Sequence, residues 1–263
     1  MTDLPPVSAG RVFAALLLRD VVVARRELPF FLVRTTIQPI LLTIVFGYLL
    51  PKMGFVRADY TAALLPGIIG VSLAASAIQS VSLPMVADFG FTREIEDRLL
   101  APIPVSLVAV EKIVAGALQG VLAALFVLPI ARLIMGPIPG LSAAHLGVAL
   151  LVTLLGATAF AAIGLVFGTV IQGQHIGLMF GFIVAPMLMF GCTYFPWAGL
   201  SVVPALKMAV LINPLVYVSE GMRAALTPGV PHMPLVATLA ALVVITTAAT
   251  LAGLKTFIHK AVS

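Results

Sequence analysis

Apolar residues run through this chain in blocks long enough to cross a bilayer, and the polar positions gather in the short segments between them. A transmembrane helix needs roughly 20 mainly apolar residues. Six blocks reach that length: Phe30–Leu50, Thr61–Val86, Val105–Met135, Ala143–Ile171, Gln174–Phe195 and Leu235–Phe257. The third and fourth exceed what a span requires, so their ends extend past the hydrocarbon or the helices tilt. Between the fifth and sixth lies Pro196–Pro234, where the apolar piece Leu200–Ile212 is too short to span and is cut off by Asn213-Pro214. Apolar pieces of that length predict short re-entrant helices, here over 196–226. The pattern as a whole predicts an all-α integral membrane fold with six transmembrane helices.

Ahead of the first block the periodicity changes. Over Val7–Leu28, Val12, Phe13, Leu16 and Leu17 gather on one side, and Arg11, Arg19, Arg25 and Arg26 supply cations for anionic lipid headgroups. Asp3, Pro5 and Pro6 stand where a signal peptide would be basic. Residues 1–28 therefore read as an amphipathic helix on the membrane surface, an ordinary solvated helix being the alternative, and 29–263 as the six-span domain.

Composition agrees with the pattern. Hydrophobic residues make up 61% of the chain and charged residues 10%, against roughly 45–50% and 25% in soluble domains. The length suits one helical membrane domain with no second soluble domain. The net charge of +5 speaks to orientation in the bilayer and not to nucleic acid. With both termini inside, the cytoplasmic side holds Arg11, Arg19, Arg25, Arg26, Arg34, Arg93, Arg98, Lys112, Lys255 and Lys260. The outer side then holds Lys52, Arg57, Arg132, Lys207 and Arg223. That excess predicts both termini in the cytoplasm.

The chain has only 15 Lys or Arg and 10 Asp or Glu, yet Asp88, Arg93, Glu94, Glu96, Asp97 and Arg98 crowd into one stretch between the second and third blocks. Phe91, Ile95 and Leu99 fall on one helical face there and the charges cover the rest, which predicts a short amphipathic helix within 88–101. Pro102 and Pro104 stop it. The alternatives are a docking helix for a partner outside the membrane and a plain solvated loop.

Glycine spacing marks where helices approach closely. Gly173, Gly177 and Gly181 recur every four residues in the fifth block, as do Gly116/Gly120 and Gly164/Gly168 elsewhere. Two uses are open for the fifth-block stripe: contact within one chain, or the seam of a homodimer.

Catalytic chemistry finds little support. The chain has no phosphate-binding loop of the Gly-Lys-Ser/Thr type. His145, His175, His232 and His259 are scattered without metal-ligand spacing, so no metal site is expected. No block carries paired central acids and bases of the kind a proton relay needs. Cys192 is the only cysteine, which rules out an intrachain disulfide.

Two motifs carry a family resemblance. The charged helix, Leu99-Leu100-Ala101-Pro102-Ile103-Pro104 and then Glu111-Lys112 entering a long span resembles the membrane subunits of type 2 ABC exporters. Tyr194-Phe195-Pro196, then Leu211-Ile212-Asn213-Pro214-Leu215-Val216-Tyr217, then Glu220-Gly221-Met222-Arg223 is similar to that family's pattern before the last span. The glycine–threonine pair that often precedes the Leu-Leu is replaced here by Glu96-Asp97-Arg98.

The resemblance implies a permease subunit in the bacterial cytoplasmic membrane that works with a second copy of itself and two copies of a separate ATPase subunit. That subunit, and not this chain, would bind ATP and magnesium, so this chain would be no enzyme and hold no cofactor. Arg93, Glu94, Glu96, Asp97, Arg98 and Leu99 would form the coupling helix, and the N-terminal helix a second contact with the ATPase. Phe195, Pro196, Asn213, Pro214, Tyr217, Glu220 and Arg223 would belong to an outer re-entrant gate. Glu220 and Arg223 stand three apart on one helical face, a spacing at which they can pair. The path would be lined by the first, second and fifth spans. Thr35, Thr36, Gln38, Ser72, Ser76, Gln79 and Ser80 either face it or bond between helices. An apolar wall with few fixed charges suits an amphipathic drug or lipid-like cargo, with Met179, Met187 and Met189 as adaptable contacts or ordinary packing. Export of a lipid-linked polysaccharide is the alternative. From another class, an ion-gradient secondary transporter or channel would need charges or unwound helices at mid-depth, and a membrane enzyme acting on lipids would need clustered acids or histidines at one interface.

Overall fold

The computed structural model describes residues 9–26, 28–56, 60–90, 103–135 and 143–262. They form α1 (Ala9–Arg26), α2 (Leu28–Leu42), α3 (Leu50–Lys52), α4 (Tyr60–Gly90), α5 (Val105–Met135), α6 (Ala143–Val170), α7 (Ile176–Met179), α8 (Ala185–Met189), α9 (Pro204–Ala209), α10 (Pro214–Leu226) and α11 (Leu235–Val262), with no strand among them. Four of these, α4, α5, α6 and α11, are long and apolar enough to cross a membrane.

The first and fifth predicted blocks take a different form. The first is a helical rod of three windings, α2, a π-helical stretch over Thr43–Leu49, and α3. Pro39 has no amide hydrogen for the helix ladder, and the Thr43 hydroxyl donates to the Pro39 carbonyl at 2.7 Å. The Leu50 amide reaches back five residues to the Val45 carbonyl, the wider winding of a π-helix. The fifth block was expected to run helically to Phe195, but its helix ends at Met189. It passes from a 3₁₀ turn at Gly173–His175 through α7 and a π-helical stretch, Phe180–Val184, into α8. Pro186 removes one donor just after the π winding. Cys192 then takes a left-handed backbone conformation, φ 52°, which turns the chain away.

The core is built around α4, which is buried along most of its length. Glycines set how closely its neighbours pack. A Cβ on Gly120 of α5 would meet Ala77 Cβ at 2.9 Å, and one on Gly164 of α6 would meet the Ile78 carbonyl oxygen at 2.8 Å. Gly116 and Gly168 are filled in the same way by Val81 and Met85 of α4. In lipid, where apolar side chains gain nothing from leaving water, such close backbone approach is what holds helices together. The small-residue spacing in the third and fourth blocks is thus spent inside the chain. α11 packs mainly on α6 and stays exposed along much of its outer face.

These contacts fix directions. Gly116 sits beside Val81 and Gly120 beside Ala77, so α5 runs antiparallel to α4, whereas Gly164 beside Ile78 and Gly168 beside Met85 make α6 parallel to it. Phe257 of α11 stacks edge-on against Phe89 of α4 at 5.8 Å. Asp20 of α1 bonds Lys112 near the start of α5. Hence α1, the end of α4, the start of α5 and the end of α11 share one end of the bundle, and residues 91–102 connect α4 to α5 there.

Candidate functional site

At the opposite end, the chain between α8 and α11 folds into a hairpin of short helices. A 3₁₀ turn over Trp197–Val202 leads to α9, then a second 3₁₀ turn, Val210–Ile212, then α10. Asn213 makes the break. Its extended backbone ends one helix, its side-chain oxygen accepts from the Leu215 amide at 3.0 Å as the N-cap of α10, and Pro214 occupies the first helical position. The Asn213 side-chain amide also donates to the Met187 carbonyl at 2.7 Å, tying the hairpin to α8. Tyr217 donates its hydroxyl to the Leu211 carbonyl at 2.8 Å, so the two arms are joined near the break.

α10 is the buried arm. Val218 fills the space beside Gly156 of α6, Val152 of α6 fills the space beside Gly221, and Leu215 and Ser219 lie against Gly70 of α4. Inside this packing sits an ion pair, Arg223 to Glu220, with neither side chain exposed. Arg223 donates through Nε and Nη2 to the Ala63 carbonyl at 3.3 and 3.0 Å, and through Nη2 to the Cys192 carbonyl at 2.9 Å. Glu220 accepts from the Trp197 amide at 2.9 Å on Oε1 and from the Met233 amide at 2.8 Å on Oε2. Five segments therefore meet on two side chains: the start of α4, the turn after α8, the start of the hairpin, α10 and the approach to α11.

Such a cluster is costly to desolvate and stands only when its hydrogen bonds are made. Here each carboxylate oxygen and each end of the guanidinium has a partner. The surrounding geometry depends on it. A Cβ on Gly67 would lie 2.2 Å from the Thr193 carbonyl oxygen, so only glycine lets the turn after α8 rest on α4. Leu215 likewise occupies the space a side chain on Gly191 would need. Phe195 packs with Cys192, Leu200, Val210, Val216 and Met233 in a second small core, and Pro196 starts the 3₁₀ turn. Trp197 donates its ring N–H to the Lys207 carbonyl at 3.0 Å while the Lys207 ammonium lies 4.2 Å over its ring.

The other expected positions fall in different places. Arg93, Glu94, Glu96, Asp97, Arg98 and Leu99 lie outside the described residues, as does the side chain of Thr36. Ser76 is buried and donates to the Gln119 carbonyl of α5 at 3.2 Å, and Ser72 and Ser80 bond to carbonyls of their own helix. Of the three, Ser76 bonds between helices. Gln38 and Met189 are exposed, and Gln79 and Met187 half-buried. Gly177 and Gly181 have open space where a side chain would stand, unlike the glycines of α5 and α6. Beside them lies a shallow, open groove of about 470 Å³, lined by Val170, Ile171, Gln172, His175, Leu178, Met179, Phe182 and Ile183. Sequence reasoning missed Ala63, Cys192 and Met233. To the ion cluster they contribute only backbone groups, which leave no trace in residue type. Gly67 had a signal, as a lone Pro66-Gly67 inside an apolar block.

The family profile of the ABC-2 type transporter matches residues 11–227, which takes in most of α1, the hairpin, and Glu220 and Arg223. The chain belongs to the ABC-2 type transporter family. No curated protein matches it. As an ABC-2 permease it is a multi-pass membrane transport subunit of a family that normally works with an ABC ATPase.

Proposed function

We propose that this ABC-2 permease exports an amphipathic, lipid-like or drug-like molecule from a bacterial cytoplasmic membrane. Two copies of it work with two copies of a separate ATPase subunit that binds ATP and magnesium. In this reading both termini face the cytoplasm, Arg93–Leu100 is the coupling helix, and 196–226 is the outer gate. The observation that carries the proposal is the Glu220–Arg223 cluster. It builds a re-entrant hairpin into the end of the bundle remote from residues 91–102, as a plug held by two buried charges and not as a loose loop.

The second copy is supported by the open face of Gly177 and Gly181, which none of the described residues covers. The cargo class is supported by the neighbouring open groove, apolar except for Gln172 and His175, and by the exposed Leu178, Phe182 and Met189.

The test is purification of the tagged chain from its native membrane, followed by reconstitution in vesicles carrying a short-chain fluorescent phospholipid. An ATPase subunit should co-purify, and Mg-ATP should drive the lipid between leaflets. A chain that brings no ATPase subunit with it defeats the exporter reading. An intact complex that moves no amphipathic probe but does move a lipid-linked glycan replaces the cargo class.

A further inference from the structure

At the end of the bundle where α4 gives way to residues 91–102, a second buried charge cluster joins elements far apart in sequence. Lys112 of α5 donates to Asp20 of α1 at 2.6 Å, across 92 residues, with side-chain exposures of 7% and 17%. Glu111, fully buried, lies 3.8 Å from the same ammonium. The apolar residues of α1 make a looser contact: Val12, Phe13, Leu16 and Leu17 are only half-buried. An apolar stripe of this kind attracts but sets no register, since a slide of one turn costs little. A short charge-assisted bond has one geometry.

Burying a lysine is also a poor way to gain stability, because hydrophobic side chains of similar size would do as well or better. The best-attested use of such pairs is to specify one arrangement over its neighbours. Position adds the second half of the argument. Lys112 stands two turns into α5, the helix that the chain enters as it leaves residues 91–102, so any displacement of that segment reaches Lys112 through a rigid rod.

We propose that the Asp20–Lys112 pair locks the surface helix α1 to the base of α5 in one register, making them move as a single lever, and that it thereby sets how strongly the permease stimulates its ATPase subunit. Lys112 and Asp20 are positioning residues in this scheme. The inference rests on the exporter reading above.

The experiment uses the permease–ATPase complex from the native membrane, held in nanodiscs, with Mg-ATP hydrolysis compared against the ATPase subunit stripped of permease. Asp20→Asn and Lys112→Met should each lower the permease-dependent stimulation by about fivefold or more, a typical size for coupling between sites. The ATPase should still co-purify in normal amount. The double variant should lose no more than Lys112→Met alone, because that single already removes the link to Asp20, and Lys112→Arg should keep the stimulation. Stimulation unchanged in both singles, or losses that multiply in the double, would overturn the proposal. Should the neutral variants not assemble, Lys112→Arg and Asp20→Glu decide: both keep the charges, and loss of stimulation in either sinks the lever. A wild-type chain that carries no ATPase subunit out of its membrane fails the exporter reading instead, before any variant is compared.

Discussion

Among the described residues, Arg223 heads the largest side chains that are fully enclosed. Its place is explained by what it can do and a hydrocarbon cannot: its donors reach the Ala63 and Cys192 carbonyls and the Glu220 carboxylate together. Those carbonyls stand at a helix start and in a left-handed turn. Removing one partner of a buried pair leaves an uncompensated charge, which costs roughly 3–5 kcal/mol. Glu220→Gln should therefore destabilise by about that amount, since the amide keeps the shape but not the charge facing Arg223. Trp197, the chain's single tryptophan, donates its amide to Glu220, so its emission reports the same event. Thermal unfolding in detergent should show a clear fall in Tm with a shifted Trp197 spectrum below the transition. A Tm and spectrum like those of the unaltered chain would mean the cluster contributes little. Asn213→Ala is the milder case. It removes a helix cap, worth about 0.5–2 kcal/mol, and the bond to Met187, and should loosen the hairpin without moving α10.

At the scale of elements, much of the fold was legible. The apolar blocks gave the long helices, Asn213-Pro214 gave the break in the hairpin, and the spacing of Glu220 and Arg223 gave their pairing. What could not be read was how the ladder of hydrogen bonds copes with Pro39 and Pro186. Both lie in helices wound partly as π, and that winding depends on which carbonyls are left over, a tertiary matter. Nor could spacing alone tell one glycine stripe from another. Gly116/Gly120 and Gly164/Gly168 turned out to face α4, while Gly177 and Gly181 face outward. That contrast makes a paired prediction. Gly67→Ala drives a methyl into the Thr193 backbone, and neither chain segment has a side chain to move aside. It should displace the turn after α8 and lower the yield of folded protein. Gly177→Ala and Gly181→Ala should leave the monomer fold intact, because no described residue lies within 4 Å of the added carbon. If the open face is the seam, larger residues there, such as Gly181→Leu, should shift cross-linked dimer towards monomer at unchanged Tm. Dimer that persists in Gly181→Leu would place the seam elsewhere.

For the whole molecule, the arrangement is of two buried charge clusters at opposite ends of one central helix. Ala63, held by Arg223, and Asp88, at the edge of residues 91–102, are 25 positions apart on α4, or about 37 Å along a helix. At that distance the clusters share no partner and perturbations of them should act independently on stability. The readouts of the two ends of the molecule should separate as well. Reversing the charges of Glu94, Glu96 and Asp97 to lysine attacks the contact proposed with the ATPase subunit. It should abolish permease-stimulated hydrolysis or co-purification while leaving Trp197 emission and Tm as they were. Glu220→Gln should do the converse, changing Trp197 emission and the leak of probe while the ATPase still binds. A rigid α4 carries motion between the ends only if both anchors hold, so either variant alone should stop Mg-ATP-driven transport. Transport that survives the triple reversal would remove residues 91–102 from the coupling path. Survival in Glu220→Gln, with Trp197 displaced, would show that the hairpin is not the gate.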